Sequence, residues 1–189
     1  MTASLPPAYF DALYARDPDP WRFATSTYER GKYAATLAAL GSRRFTRALE
    51  VGCSIGVLTR ALAPHCDALL SVDVAESALD QARARCADLP HVRFARMQVP
   101  REWPGGRFDL ILLSEVVYYL CAEDVDALAA RVRAGLRPGG CVLLVHWLGP
   151  TNYPLSGDAA TERFVAAAGL PAVLQQRAEE YRLDRLEAP

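Results

Sequence analysis

The chain has 189 residues, enough for one domain with a substantial core. With 22 acidic and 21 basic residues and a net charge of −1, it lacks the basic surplus that a nucleic-acid partner requires. Its start, Met1 to Pro7, has neither the basic flank nor the apolar stretch of a signal peptide. No apolar run nears the ~20 residues that span a bilayer, so a cytoplasmic chain with no membrane partner is expected. Cys53, Cys66, Cys86, Cys121 and Cys141 are odd in number and form no CxxC pair. Neither a disulfide framework nor a metal site is therefore expected.

Residues 1–40 are rich in aromatics: Tyr9, Phe10, Tyr14, Trp21, Phe23, Tyr28 and Tyr33. Asp17-Pro18-Asp19-Pro20 is turn chemistry, and a helix from about Ser26 puts Arg30, Tyr33, Leu37 and Leu40 on one face. The segment reads as an N-terminal helical lid. Over 41–189 strand and helix patterns alternate, which implies an α/β core with a doubly wound, mostly parallel sheet. Strands are expected near 48–51 and 69–73, with helices near 56–63 and 76–86, and Val92 and Phe94 mark a third strand. The unbroken apolar run Phe108–Leu113 suits a strand covered on both faces. A helix near 122–136 follows, with Val125, Leu128, Ala129, Val132 and Leu136 on one face. Pro138-Gly139-Gly140 is expected to stop it before a strand at 141–146. A helix near 158–168 and a C-terminal antiparallel hairpin, near 172–178 and 180–187, complete a single domain over 1–189.

The stretch Ala48 to Thr59 carries the most chemistry. An apolar strand ends at Glu50 and enters a loop of small residues, Gly52-Cys53-Ser54-Ile55-Gly56, that feeds a helix. Gly52 permits a sharp turn, Cys53 and Ser54 are small enough for close approach, and Gly56 lets the helix start lie against the strand. Such a loop also serves NAD enzymes. Here, however, the spacing is Gly-x-Ser-x-Gly rather than the Gly-x-Gly-x-x-Gly that accommodates a pyrophosphate. Glu50 would oppose a phosphate and suit an ammonium. Asp73, at the tip of the second strand, is placed to accept both hydroxyls of a ribose, with Val74 beside it in the cofactor site. A ligand with a ribose, a cationic amino-acid end and no phosphate fits S-adenosylmethionine better than NAD.

Glu-x-Gly-x-Ser-x-Gly, Asp73, Phe108-Asp109 and Pro138-Gly139-Gly140 together resemble class I S-adenosylmethionine-dependent methyltransferases. Three stretches resemble, more narrowly, the nodulation protein S family of N-methyltransferases. They are Asp17–Arg22 with Tyr28-Glu29-Arg30, Leu58–Cys66, and Ser114-Glu115-Val116-Val117-Tyr118-Tyr119-Leu120. The resemblance implies a Rossmann-like methyltransferase fold and methylation of the free amine of an amino sugar or short chitin-type oligosaccharide. After the third strand, where the family tends to place an acid for the adenine amine, this chain has Met97-Gln98. The Gln98 carbonyl can accept from that amine. After the fifth strand it has His146-Trp147-Leu148-Gly149 in place of small polar residues.

Ligands of open parallel sheets sit beyond the carboxyl ends of the strands, where Glu50, Asp73, Gln98, Ser114, Glu115, His146 and Trp147 all fall. Ser114 is therefore grouped with the cofactor residues. An attacking amine must be neutral, and Glu115 or His146 would accept its proton. Alternatively Glu115 contacts the donor, and His146 is a satisfied polar residue of the pocket wall. Trp21 would cover the cofactor and Arg30 meet its carboxylate, or Trp21 packs the lid and Arg30 pairs with a nearby acid. Tyr118, Tyr119, Trp147 and Tyr153 offer aromatic faces to a sugar ring, although core packing accounts for at least one of the two adjacent tyrosines. Beside the amine N-methyltransferase stand three alternatives: a methyltransferase for another small metabolite, at nitrogen or oxygen, a non-catalytic cofactor-binding accessory protein, and an NAD-dependent oxidoreductase. The oligomeric state has no sequence signal.

Overall fold

The structure, a computed structural model, describes residues 3–189; Met1 and Thr2, where the expected lid begins, lie outside the described residues. The chain divides into two compact units. The N-terminal unit is Pro6–Gln98. The C-terminal unit is Val99–Pro189 together with the stretch up to Leu5.

The N-terminal unit contains helices α1 (Pro7–Arg16) and α2 (Thr27–Leu40), then β1 (Ala48–Val51), α3 (Val57–Leu62), β2 (Leu69–Asp73), α4 (Glu76–Arg85) and β3 (Val92–Arg96). β2 lies between β1 and β3 and runs parallel to both. α2 starts where expected, because the Ser26 hydroxyl accepts from the Glu29 N–H at 3.2 Å. Its buried face differs from the expected one. Glu29, Lys32, Thr36, Ala39 and Leu40 are buried, while Arg30 is exposed. Lys32, the only lysine of the chain, pairs with Glu29 at 3.0 Å and lies 5.2 Å from the centre of the Tyr28 ring. Paired charges thus occupy a stripe where a hydropathy pattern looks for leucines.

The C-terminal unit contains β4 (Phe108–Ser114), a 3-10 turn over Val117–Tyr119, α5 (Ala122–Gly135), β5 (Leu136–Trp147), α6 (Gly157–Ala168), β6 (Ala172–Arg177) and β7 (Tyr181–Glu187). β4 and β5 are parallel, β7 pairs antiparallel with β5, and β6 closes the expected hairpin on β7. β4 is buried at every position but Asp109, as its unbroken apolar run requires.

Pro138-Gly139-Gly140 does not act as the expected stop. α5 already ends at Gly135, since Leu136 is extended, and β5 runs through the triplet. Between Phe108 and Leu110 on β4, the partner positions on β5 are Leu136 and Cys141, so the triplet bulges out of the ladder. Gly139 takes a left-handed φ of 69°, and a Cβ on Gly140 would lie 2.9 Å from the Arg137 carbonyl oxygen. Glycine is needed for the bulge, and proline there marks a strand irregularity.

α5 has no cap from its own N-cap residue, Cys121. The Ser4 hydroxyl supplies it instead, accepting from the Cys121 N–H at 2.8 Å and donating to Asp124 at 2.5 Å. Leu5 N–H adds a bond to the Tyr119 carbonyl at 2.9 Å. Among the described residues no helix is long and apolar enough to cross a membrane. All five cysteines are free thiols, and four of them are buried.

Candidate functional site

In the N-terminal unit, β1 delivers Glu50 and β2 delivers Asp73 to the two sides of the loop Gly52–Gly56. The N–H groups of Gly52 and Cys53 both donate to the Val72 carbonyl, at 2.8 and 3.1 Å, which folds the loop back over the end of β2. Three loop residues have left-handed φ: Gly52 at 81°, Ser54 at 48° and Gly56 at 77°. A Cβ on Gly56 would lie 2.9 Å from the Cα of Ala82, so glycine is also required for the close approach of α3 and α4. Ser54 is not a glycine, and its conformation costs about 1–3 kcal/mol. Two bonds hold it there: its N–H donates to Asp73 Oδ2 at 2.8 Å, and its hydroxyl meets that of Tyr14 at 2.5 Å.

Asp73 receives the Ser54 N–H on one oxygen and the Ala75 N–H, at 3.0 Å, on the other. Each carboxylate oxygen has a second lone pair, and the residue is half-buried, so two further donors can be accepted. Burial raises its pKa, against the lowering effect of those backbone donors. Glu50 is 1% exposed, and its Oε2 accepts from Thr59 Oγ1 at 2.6 Å and Ser71 Oγ at 2.7 Å. Burial pushes its pKa up to about 7 despite those two bonds, with Asp73 adding to the rise. Glu50 therefore sits beneath the loop, tied to α3 and β2.

Trp21 is half-buried in a cluster with Tyr14, Ile55, Ala75 and Ala78, stacked on Phe23 at 5.5 Å and edge-on to Tyr14 at 5.7 Å. The aromatic N-terminal segment thus packs on the loop itself. Val74, Met97 and Gln98 are half-buried, and the Met97 N–H donates to the Asp73 carbonyl at 2.9 Å. Arg30 is not brought to this group. Its guanidinium bonds the Thr25 carbonyl and the Thr27 hydroxyl at 3.0 and 2.9 Å.

In the C-terminal unit, Ser114 is buried at the end of β4, and Glu115 follows with a left-handed φ of 57°. Its N–H is held by the Val145 carbonyl at 2.9 Å. Its Oε2 accepts from the Tyr118 hydroxyl at 2.5 Å and from the Trp147 N–H at 3.0 Å. Tyr118 stacks on Tyr153 at 5.2 Å, and Tyr119 meets both rings edge-on, at 4.6 and 4.7 Å. Burial, with Glu115 next, drives the Tyr118 pKa well up, so its hydroxyl acts as a donor. Trp147 folds back on its own loop: a Cβ on Gly149 would lie 2.4 Å from its indole nitrogen.

Of the two roles expected for His146, the geometry fits the satisfied polar residue rather than the proton acceptor. His146 has no exposed surface; Nε2 accepts from the Val117 N–H at 3.2 Å, and Nδ1 meets Thr161 Oγ1 at 3.1 Å. Both ring nitrogens are engaged inside the unit, which suits a satisfied wall residue and not a proton acceptor for an outside amine. Sequence reading missed Tyr14 as a partner of Ser54, the pair Thr59 and Ser71 under Glu50, and Thr161. Only Tyr14 left a trace, in the aromatic density of the first forty residues. Among the described residues no cluster of histidine, cysteine or acidic side chains is arranged to hold a metal ion.

The model of the nodulation protein S (NodS) family matches residues 11–146. Nodulation protein S of Bradyrhizobium diazoefficiens is 36% identical over 162 residues, covering 82% of this chain and 71% of that protein. The Sinorhizobium fredii protein is 33% identical over 160 residues, 82% of this chain and 69% of its own. The crystal structure of the N-methyltransferase NodS from Bradyrhizobium japonicum in complex with S-adenosyl-L-homocysteine superposes with a TM-score of 0.81, at 25% identity, over 96% of this chain and 97% of that one. The fold is thus the Rossmann-like methyltransferase fold expected of a doubly wound α/β chain, with antiparallel C-terminal strands. The chain belongs to the nodulation protein S family and is an S-adenosylmethionine-dependent methyltransferase of that type.

Proposed function

We propose that this enzyme methylates the free amine of an amino sugar or short chitin-type oligosaccharide. The observation that carries the reading is the Glu115 carboxylate, held in a left-handed backbone by a tyrosine hydroxyl and a backbone N–H beside three clustered tyrosines.

The N-terminal unit fits the methyl donor. Asp73 keeps acceptor capacity for two ribose hydroxyls, the Gly52–Gly56 loop permits close approach, and Trp21, Val74, Met97 and Gln98 offer a partly apolar wall with one amide for the adenine. Glu50 contributes a carboxylate under the loop, toward the ammonium end. When bound, the donor supplies an electrophilic methyl group on a sulfonium. Glu115 orients the acceptor nitrogen and takes its proton, so that the amine is presented neutral. The two donors on its Oε2 keep the carboxylate aimed. Tyr119 and Tyr153, both half-buried, face the acceptor ring, and Tyr118 supports Glu115.

One observation favours a smaller acceptor, a metabolite methylated at nitrogen or oxygen. Tyr118, Tyr119 and Tyr153 spend much of their ring surface on one another. The test is to incubate the protein with S-adenosylmethionine and chitotetraose bearing one free amine, beside fully acetylated chitotetraose and glucosamine, and to read methyl transfer by mass spectrometry. Transfer to one or both of the free-amine acceptors and not to the fully acetylated sugar is expected; transfer to neither free-amine acceptor removes the amino-sugar reading. Glu115→Gln should lower turnover about 10²-fold or more while S-adenosylhomocysteine affinity stays within about threefold.

A further inference from the structure

His146 and Thr161 are two polar side chains with no exposed surface, and they form one chain of hydrogen bonds. The Val117 N–H donates to His146 Nε2 at 3.2 Å, which requires a lone pair on that nitrogen. The Thr161 hydroxyl donates to the Gly157 carbonyl at 2.8 Å, so at 3.1 Å it accepts from His146 Nδ1. A single tautomer, with the proton on Nδ1, satisfies every member.

The two ends of this chain matter for Glu115. Val117 immediately precedes Tyr118, whose hydroxyl donates to Glu115 Oε2, and His146 immediately precedes Trp147, whose N–H donates to the same oxygen. The imidazole therefore ties together the two backbone segments that carry both donors. We infer that His146, locked by Thr161, is a positioning residue that fixes the geometry of the Glu115 carboxylate for the acceptor amine. The inference rests on the role proposed above for Glu115. It also assigns a use to a histidine that takes no proton from the acceptor. His146 sets direction, and Glu115 touches the substrate.

A double-mutant cycle in the full chain, with the monoamine chitotetraose as acceptor, tests it. Thr161→Val removes the hydroxyl that orients the imidazole; Thr161→Ser keeps it. We expect Thr161→Val to lower kcat about tenfold with S-adenosylhomocysteine affinity unchanged within about twofold, and Thr161→Ser to stay within about twofold of the parent. In the Glu115→Gln background, Thr161→Val should cost nothing further, because the two residues act as one unit. Losses that multiply, or a Thr161→Val enzyme as active as the parent, would overturn the inference. A parent without turnover, or an unaffected Glu115→Gln, overturns the reading of Glu115 and this inference with it. Nitrogen-15 spectra of labelled histidine provide a second measurement that needs no turnover. The Nδ1–H tautomer should dominate in the parent and in Thr161→Ser, and Thr161→Val, which leaves that proton without its acceptor, should shift the Nδ1 resonance; the Nε2–H form in the parent refutes the relay.

Discussion

The residues proposed to hold the methyl donor and those proposed to meet the acceptor are built by different means. Around Gly52–Gly56 the shape is made by backbone: three left-handed φ values, two N–H groups on one carbonyl, and a glycine packed on Ala82. Around Glu115 it is made at a side chain: the carboxylate takes the nearby Tyr118 hydroxyl and, 32 positions on, the Trp147 backbone N–H, while the His146 and Thr161 side chains join the neighbouring segments. A backbone-built site is copied with a short motif, so one donor can be recognised by many enzymes. A side-chain-built site changes with single substitutions, which suits acceptors that differ between enzymes.

Breaking the backbone side should have the largest effect. Gly56→Ala forces a left-handed alanine against Ala82, and a loss of about 2–5 kcal/mol in stability is expected from denaturant unfolding, with donor binding lost in parallel. Glu50 sharpens the contrast through pH. Burial pushes its pKa up to about 7 in the folded chain from an ordinary value of 4.5, so the folded state holds its proton longer than the unfolded state does. This contribution to stability is fully present below about pH 4.5 and falls as pH rises to 7, by about 3 kcal/mol in total. Relative to Glu50→Gln, the parent should lose stability over that window in urea titrations at fixed pH; parallel curves would count against a buried, late-ionising Glu50. Asp73→Ala should weaken S-adenosylhomocysteine binding by about 1.5–3 kcal/mol in calorimetry, the range for hydrogen bonds to a charged group. The smallest effect belongs to Ser4→Ala, which strips the cap from α5 and should cost about 1 kcal/mol in thermal stability, with donor affinity unchanged.

The same contrast sets what could be read from the amino-acid order. Glu50, the Gly-x-Ser-x-Gly loop and Asp73 announce themselves because each lies at the end of an apolar strand, and their partners follow from strand pairing. The strands and helices from α2 onward were likewise legible, down to Ser26 and Gly169 as caps, whereas α1, over Pro7–Arg16, carries no periodic pattern that announced it. Pro138-Gly139-Gly140 misled because its glycines serve a bulge, an outcome set by the neighbouring strand and not by local propensity. The face of α2 misled because a charge pair, Glu29 with Lys32, fills a buried stripe. His146 was legible as a residue near a strand end but not as a buried relay, since Thr161 lies fifteen positions away with no local pattern linking them. The left-handed backbone of Ser54 and Glu115 had no sequence signal either, because neither is glycine.

The cap on α5 has a bearing on how the chain acquires its shape during synthesis. Ser4 is 117 positions ahead of the Cys121 N–H it satisfies. On a ribosome adding about 5–20 residues per second, the serine emerges several seconds before its helix exists. Until then the leading residues have no α5 to grip, and the first turn of that helix can be closed only by a segment made long before it. Joining the two ends is a late event in the life of the nascent polypeptide. The loop around Gly52, whose bonds are short in sequence, can be finished well before the last strand is translated.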